Sequence, residues 1–201
     1  IDYPNYEVII VDNGSTDNTK SFIRNYKFSK FNLVESKLNF GMWPGQEELL
    51  KHSIGEFVII LSVDVVLDKD FILNSVKTMN KDDKIGAVQA KVYQYDIRNI
   101  DNSDLNENII DTCGFQIYKS RRVINIGHGE KDNGQFNQEK EIFAVEGAVP
   151  IFRKTALEDC RVLGEIADHD MFWYAEDLDV AWRMRVFGWK QLFVPDVIAW
   201  H

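Results

Sequence analysis

Cysteine, histidine and positive charge are the scarce commodities of this 201-residue chain: two Cys, four His, and 23 Lys and Arg against 32 Asp and Glu. Cys113 and Cys160 are too few and too far apart for a disulfide framework or a cysteine zinc site, and are expected as buried, reduced thiols. The net charge of −9 argues against nucleic acid as a partner, because a phosphate backbone is neutralised by an excess of Lys and Arg. It argues equally against simple electrostatic docking on anionic lipid. No apolar run approaches the roughly 20 residues that cross a bilayer, and no signal peptide opens the chain. A basic loop able to grip a triphosphate is absent, which counts against nucleotidyl transfer. The chain begins at Ile1, not Met, and stops at His201 inside an apolar stretch, so it reads as a truncated piece of a longer protein.

What is present is enough for one domain over 1–201, since 45% of the residues are hydrophobic. Glu7-Val8-Ile9-Ile10-Val11 is a β-branched run of the kind found in buried parallel strands. It ends in the polar turn Asp12-Asn13-Gly14-Ser15-Thr16-Asp17, where Thr16 or Asp17 can cap a helix over 18–26. A second strand over 31–35, a loop over 37–45, a helix over 46–53 and a strand over 57–61 follow. Another helix to about Met79 and a strand over 85–92 complete the first half. This alternation predicts βαβ units in a mixed, mostly parallel sheet with helices on both faces, and ligands at the carboxyl ends of its strands. The strand over 7–11 is expected inside that sheet, with the strand over 31–35 on one side. The polar stretch 94–140 reads as an insertion with a hairpin (115–119 and 122–126) and a mobile loop on the acceptor side. Beyond it lie a helix over 177–187, whose Trp182 falls on an apolar spacing and is expected in the core, and a strand over 189–194 stopped by Pro195.

Two acidic clusters stand at the ends of these elements. Ser62-Val63-Asp64 follows the apolar run Phe57–Leu61, and Glu176-Asp177-Leu178-Asp179 opens the last helix. A carboxylate at a strand tip is placed to hold a cation, and one at a helix start facing the same crevice is placed to take a proton. Together they suggest metal-assisted transfer from a phosphorylated donor. The plainer alternatives are a turn cap for Asp64 and a helix-dipole acid for Asp177.

Five stretches, in order, resemble the inverting family 2 glycosyltransferases of GT-A fold, closest to the rhamnosyltransferase-like branch that builds surface polysaccharides. They are Val11–Asp17, Asn39-Phe40-Gly41 leading through Gly55 to Leu61–Asp64, Gly147–Arg153, Phe172–Asp179 and Val194–His201. The resemblance implies a nucleoside-diphosphate sugar donor and a glycan or lipid-linked acceptor. Asp12 would contact the nucleobase, with Asn13, Ser15, Asn39, Gly41 and Ser62 on the donor side. Asp64 and His201 would hold Mg²⁺ or Mn²⁺, and Asp177 would be the general base. Gly147 and Glu176 would face the acceptor, Gly147 letting the backbone approach the sugars. Ser62 departs from the Asp-x-Asp of many members, and Glu47 stands where the branch often has Asn. The Gln-x-x-Arg-Trp of processive synthases is absent, with Ala181–Arg185 in that region, which favours transfer of one or a few sugars. The family's opening strand is missing ahead of Ile1. Ser62 and that missing strand leave a non-catalytic sugar-nucleotide or glycan-binding module of the same fold as the alternative. The expected location is the cytoplasm, at the inner face of the membrane, with any peripheral attachment carried by segments outside these residues.

Overall fold

The structure, a computed structural model, describes residues 1–26, 31–95, 108–172 and 174–201. The chain opens with β1 (Ile9–Asn13), α1 (Thr19–Asn25) and β2 (Asn32–Ser36). β1 and β2 pair in parallel, Ile9 opposite Asn32 and Asn13 opposite Ser36, as a βαβ unit must. The Asp17 carboxylate accepts the Thr19 N–H at 3.0 Å and so starts α1. α2 (Met42–His52) begins four residues earlier than the sequence suggested. Pro44 lies in its first turn, where the missing N–H has no helical partner to lose. The Glu7 carboxylate accepts the N–H groups of Ile54 and Gly55, tying the approach to β1 to the end of α2.

β1 is not an inner strand of the main sheet. The β1–β2 pair forms a two-stranded sheet of its own, and the second edge of β1 is unpaired among the described residues. With one ladder instead of two, the apolar run Ile9–Val11 is only half buried.

The main sheet has seven strands: β3 (Phe57–Ile59), β4 (Val66–Leu67), β5 (Ile85–Tyr93), β6 (Ile110–Thr112), β9 (Lys140–Glu141), β10 (Ile151–Arg153) and β11 (Lys190–Trp200). The order is β3-β10-β5-β11-β4, with β6 on β5 and β9 on β11. The sheet is mixed, as expected, but its ladder is less parallel than expected. β5 and β11 pair in parallel, whereas β10, β4, β6 and β9 all enter antiparallel. These are strands of two or three residues set beside the long parallel pair of β5 and β11. A separate hairpin joins β7 (Phe115–Ile117) to β8 (Val123–Asn125). Pro195 does not end the last strand. The register of β11 on β5 slips between Val194 and Ile198, and pairing then resumes to Trp200. The bulge absorbs the residue that has no N–H to give to the ladder.

Helices cover both faces. α3 (Phe71–Met79) packs Phe71 and Met79 over Val88, Ala90 and Val92 of β5. α2, α4 (Lys154–Asp159) and α5 (Glu176–Val186) share the other cluster with Phe152, Phe193 and Met184. Complete burial of one such side chain is worth about 1.5–3 kcal/mol. Cys113 and Cys160 lie in this cluster as free thiols, pushed up to about 12 by burial and therefore unreactive. Trp182 is not in the core: it is 52% exposed, and α5 buries Glu176, Val180, Ala181 and Met184 instead. Its ring meets Phe143 edge-on at 5.5 Å. Of the stretch 94–140, residues 96–107 lie outside the described residues. Within the described part β6 pairs with β5, and Ile110 and Cys113 are fully buried.

Candidate active site

The first group of expected residues gathers at the β1–α1 turn. Asp12 is 2% exposed, accepts the Ser15 N–H at 3.0 Å and pairs with Lys20 at 3.4 Å. Burial opposes its charge, but the Ser15 and Lys20 interactions outweigh burial and hold its carboxyl below the ordinary value. Its second oxygen is buried with no partner among the described residues. Asn13 reaches across to the loop before α2. It donates to the Asn39 side chain at 3.0 Å and the Gly41 carbonyl at 2.8 Å, and accepts the Phe40 N–H at 3.1 Å. Asn39 in turn accepts the Gly41 N–H. Gly41 has φ +92, and a Cβ there would meet the Phe172 ring at 3.1 Å, so both its conformation and its space call for glycine.

The second group surrounds the start of α5. Asp177 accepts the N–H of Leu178, and its other oxygen, Oδ2, lies toward Gly147. Burial, followed by the nearby charges of Glu146 and Glu176, pushes its carboxyl up to about 6. The two residues before Glu176, Tyr174 and Ala175, both have positive φ, a strained approach to a helix. Trp173, part of the stretch that suggested this site, lies outside the described residues. Glu176 is 4% exposed, and its Oε2 has no partner among the described residues; the same holds for Gln46 Oε1. Glu176, Gln46, Met42, Trp43, Gly147 and Asp177 line one small pocket. A Cβ on Gly147 would make only ordinary contacts, 3.6 Å to Met42 and 3.9 Å to Asp177. The protein's own packing and backbone therefore do not require glycine there.

The third group lies past the C-terminal ends of β3 and β11. Asp64 lies in the turn after β3 with its side chain 60% exposed, and Oδ1 is 3.6 Å from Nε2 of His201. The Ser62 N–H donates to the Ala148 carbonyl, stitching this turn to the Gly147 segment. His201 follows β11, and its Nδ1 lies 2.9 Å from the Asp111 carboxylate. That bond, helped by the charges of Asp111, Asp64 and Glu146, raises the imidazole above its ordinary value against the effect of burial. Among the described residues no three His, Cys, Asp or Glu side chains form a ready metal cage. An exposed carboxylate beside one imidazole nitrogen nonetheless suits Mg²⁺ or Mn²⁺ in a transferase, because such ions take one or two protein ligands and complete their shell with water and substrate phosphate.

Sequence reasoning missed the residues that join these groups. Glu146 is pushed up by burial, feels the charges of Asp111 and His201, and is in turn felt by Asp177. It thus lies electrostatically between the base candidate and the metal candidates. Its backbone N–H is held by the buried Gln89 side chain at 2.7 Å, and that of Val145 by Gln191 at 3.1 Å. Polar residues in the middle of apolar strands were the available signal, since a buried glutamine must be paired. Asp111 carried no signal, lying in a polar stretch rich in acids. Glu47 is explained by its partners: buried, it accepts from Ile166 N–H and Arg161 and bonds His169, anchoring α2 to the 161–169 segment. Asp179 is likewise occupied, bonding Asp168 N–H and Arg183.

Comparison with known proteins gives the family and the fold. Over its full length the chain is 28% identical to a poly-β-1,6-N-acetyl-D-glucosamine synthase of Staphylococcus epidermidis, and over 98% of its length 25% identical to that of Staphylococcus aureus. It spans 43% of the length of these relatives. The fold matches a mannosyltransferase of Pyrobaculum calidifontis in complex with GDP-Man and Mn²⁺, with a TM-score of 0.66, 23% identity, and coverage of 100% of this chain and 49% of that one. It also matches S. aureus TarS with UDP-GlcNAc, with a TM-score of 0.61, 16% identity, and coverage of 100% and 51%. These likenesses show the GT-A fold. The family model for glycosyl transferase family 2 matches residues 1–160, and the chain belongs to that family.

Proposed function

We propose that this domain is a metal-dependent, inverting glycosyltransferase that moves a sugar from a nucleoside-diphosphate sugar to a hydroxyl of a glycan or lipid-linked acceptor in surface polysaccharide synthesis. The observation that carries the reading is Asp177, a carboxyl raised to about 6 at a helix start, with Oδ2 facing Gly147 across the small pocket that both line. A carboxylate of that basicity is largely ionised at neutral pH yet takes a proton more readily than an ordinary aspartate. An acceptor hydroxyl placed over Gly147 would give its proton to Asp177 as its oxygen bonds the anomeric carbon. The bond from that carbon to the diphosphate oxygen breaks with its electron pair, and a single displacement from the opposite face inverts the centre. Asp64 and His201 would hold Mg²⁺ or Mn²⁺, which when bound supplies Lewis-acid neutralisation of the leaving diphosphate. Asp12, with its unpartnered buried oxygen, would accept from the nucleobase. Asn13 and Asn39 hold the loop through Gly41 on the donor side, and Ser62 stitches the metal turn to the acceptor-side segment. Glu176 would accept from an acceptor hydroxyl.

Support for the donor class comes from the GDP-Man and UDP-GlcNAc in the named neighbours, and for Mn²⁺ from the mannosyltransferase complex. The motif pattern favours the rhamnosyltransferase-like branch, whereas the staphylococcal relatives are named for N-acetylglucosamine. We place the reaction in the cytoplasm at the inner membrane face, with peripheral attachment through other segments; no described helix is long and apolar enough to cross a membrane. The test is a donor panel (UDP-GlcNAc, GDP-mannose and a dTDP-deoxyhexose) assayed for hydrolysis and transfer with Mn²⁺, Mg²⁺ or chelator. Metal-dependent turnover of one donor, lost in Asp177→Asn, supports the enzyme. Donor binding without any turnover supports the non-catalytic module. Product length decides between one or a few sugars, expected from the missing Gln-x-x-Arg-Trp, and a polymer.

A further inference from the structure

We infer that Asp111 is a positioning residue that holds His201 in the tautomer able to ligate a metal; this rests on the reading of Asp64 and His201 as the metal pair. The two side chains come from opposite sides of the end of β5. Tyr93 pairs with Ile110 of β6 on one side and with Trp200 of β11 on the other, and the His201 N–H donates to the Tyr93 carbonyl. The β5–β6 register places Thr112 opposite Val92 and Ile110 opposite Tyr93, so Asp111 is the extra residue of a β-bulge. A bulge bends the strand locally and re-aims the side chain it carries. Here Ile110 and Thr112 are fully buried, while the Asp111 carboxylate, 18% exposed, is turned to Nδ1 of His201 at 2.9 Å.

An ionised carboxylate only accepts, so Nδ1 must carry the hydrogen. A neutral imidazole has one N–H, and its lone pair is then on Nε2, the nitrogen that faces Asp64 at 3.6 Å. Without that carboxylate a neutral imidazole in water favours the opposite tautomer, with hydrogen on Nε2, and could not ligate a cation at Asp64. Carboxylate–histidine–metal arrangements of this kind orient the ring and make the ligand more basic. His128 braces the same bulge, its Nδ1 lying 2.7 Å from the Asp111 carbonyl and 3.5 Å from Oδ1. Asp111 is thereby held from its backbone while Oδ2 serves His201.

The test uses the whole chain, with Mn²⁺ alone as the probe, read by electron paramagnetic resonance, and ¹⁵N NMR of the His201 ring in metal-free protein at a pH where the ring is neutral. Wild type is expected to show the Nδ1–H tautomer. Asp111→Ala should shift the ring to Nε2–H and weaken Mn²⁺ binding about 10- to 100-fold. Asp111→Asn, whose amide oxygen still accepts from Nδ1, should keep the tautomer and lose less affinity. If His201→Ala weakens Mn²⁺ binding while Asp111→Ala leaves either the tautomer or the affinity as in wild type, the positioning role is overturned and the ligand pair stands. If His201→Ala leaves Mn²⁺ affinity unchanged, the ligand reading fails and the inference with it.

Discussion

The β1–α1 turn and the acidic lane that runs from the start of α5 to the ends of β3 and β11 are built on different principles. At the turn, Asn13, Asn39 and Gly41 bond one another directly across 28 residues at most, and each hydrogen bond holds a loop in place. In the lane, Asp177, Glu146, Asp111, His201 and Asp64 come from five separate segments, and His201 meets Asp111 across 90 residues. Burial there raises Asp177 and Glu146, while at the turn hydrogen bonds and Lys20 keep Asp12 acidic. The lesson is that one acid-rich fold holds the Asp12 carboxyl below its ordinary value and raises that of Asp177, by environment alone.

The sharpest way to break this contrast is Asp177→Asn. Transfer should fall by roughly 10²-fold or more, with donor binding retained, measured by kcat and by calorimetry separately. The same variant should melt higher than wild type above pH 6. A carboxyl whose folded value is raised contributes stability below its unfolded value, near 3.8, and loses it as pH rises through about 6. The amide carries no such loss, so the difference should vanish at pH 4. Near-native turnover would remove Asp177 as the base.

Next in size, kcat/KM should decline on the acid side with a limb near pH 6, set by Asp177. Glu146→Gln removes one of the charges that raise Asp177, so the limb should move to lower pH. A limb that stays in place would break the link between Glu146 and the base.

At the metal pair, Asp64→Ala should weaken nucleoside diphosphate binding in Mn²⁺ more than His201→Ala, because it removes charge as well as a ligand. Equal affinity with chelator present would sink metal dependence. Gly41→Ala should raise the donor KM several-fold and destabilise by about 1–3 kcal/mol, since the residue is left-handed and Phe172 fills its space. The smallest effect is expected for Gly147→Ala. Chemical denaturation should be unchanged within about 0.5 kcal/mol, because the new methyl makes ordinary contacts, while the acceptor KM rises. A stability loss instead would make Gly147 a packing residue.

The turn was legible in the sequence because its chemistry is local. A β-branched run, a polar turn with glycine and an Asn-x-Gly loop are each decided by residues within a few positions. The partner of β1 could be named for the same reason, since a βαβ unit returns its second strand beside the first. Errors arose where a local rule met a tertiary one. Proline predicts a stop at 195, but β5 holds β11 on both sides of a bulge. Helical spacing puts Trp182 in the core, but the buried face of α5 is set by Glu176, Val180, Ala181 and Met184.

By itself the sequence determined the elements, the family pattern and the identity of the two acids, because strand, turn and helix signals follow from neighbouring side chains. The environment of Asp177, and with it the basicity of its carboxyl, was decided only by tertiary structure. Asp177 is raised because the fold buries it and sets the charges of Glu146 and Glu176 near it, and His201 is oriented because a bulge in β6 carries Asp111 across the end of β5. Desolvation and charge act through space, between residues that the chain keeps far apart, and no local pattern encodes them.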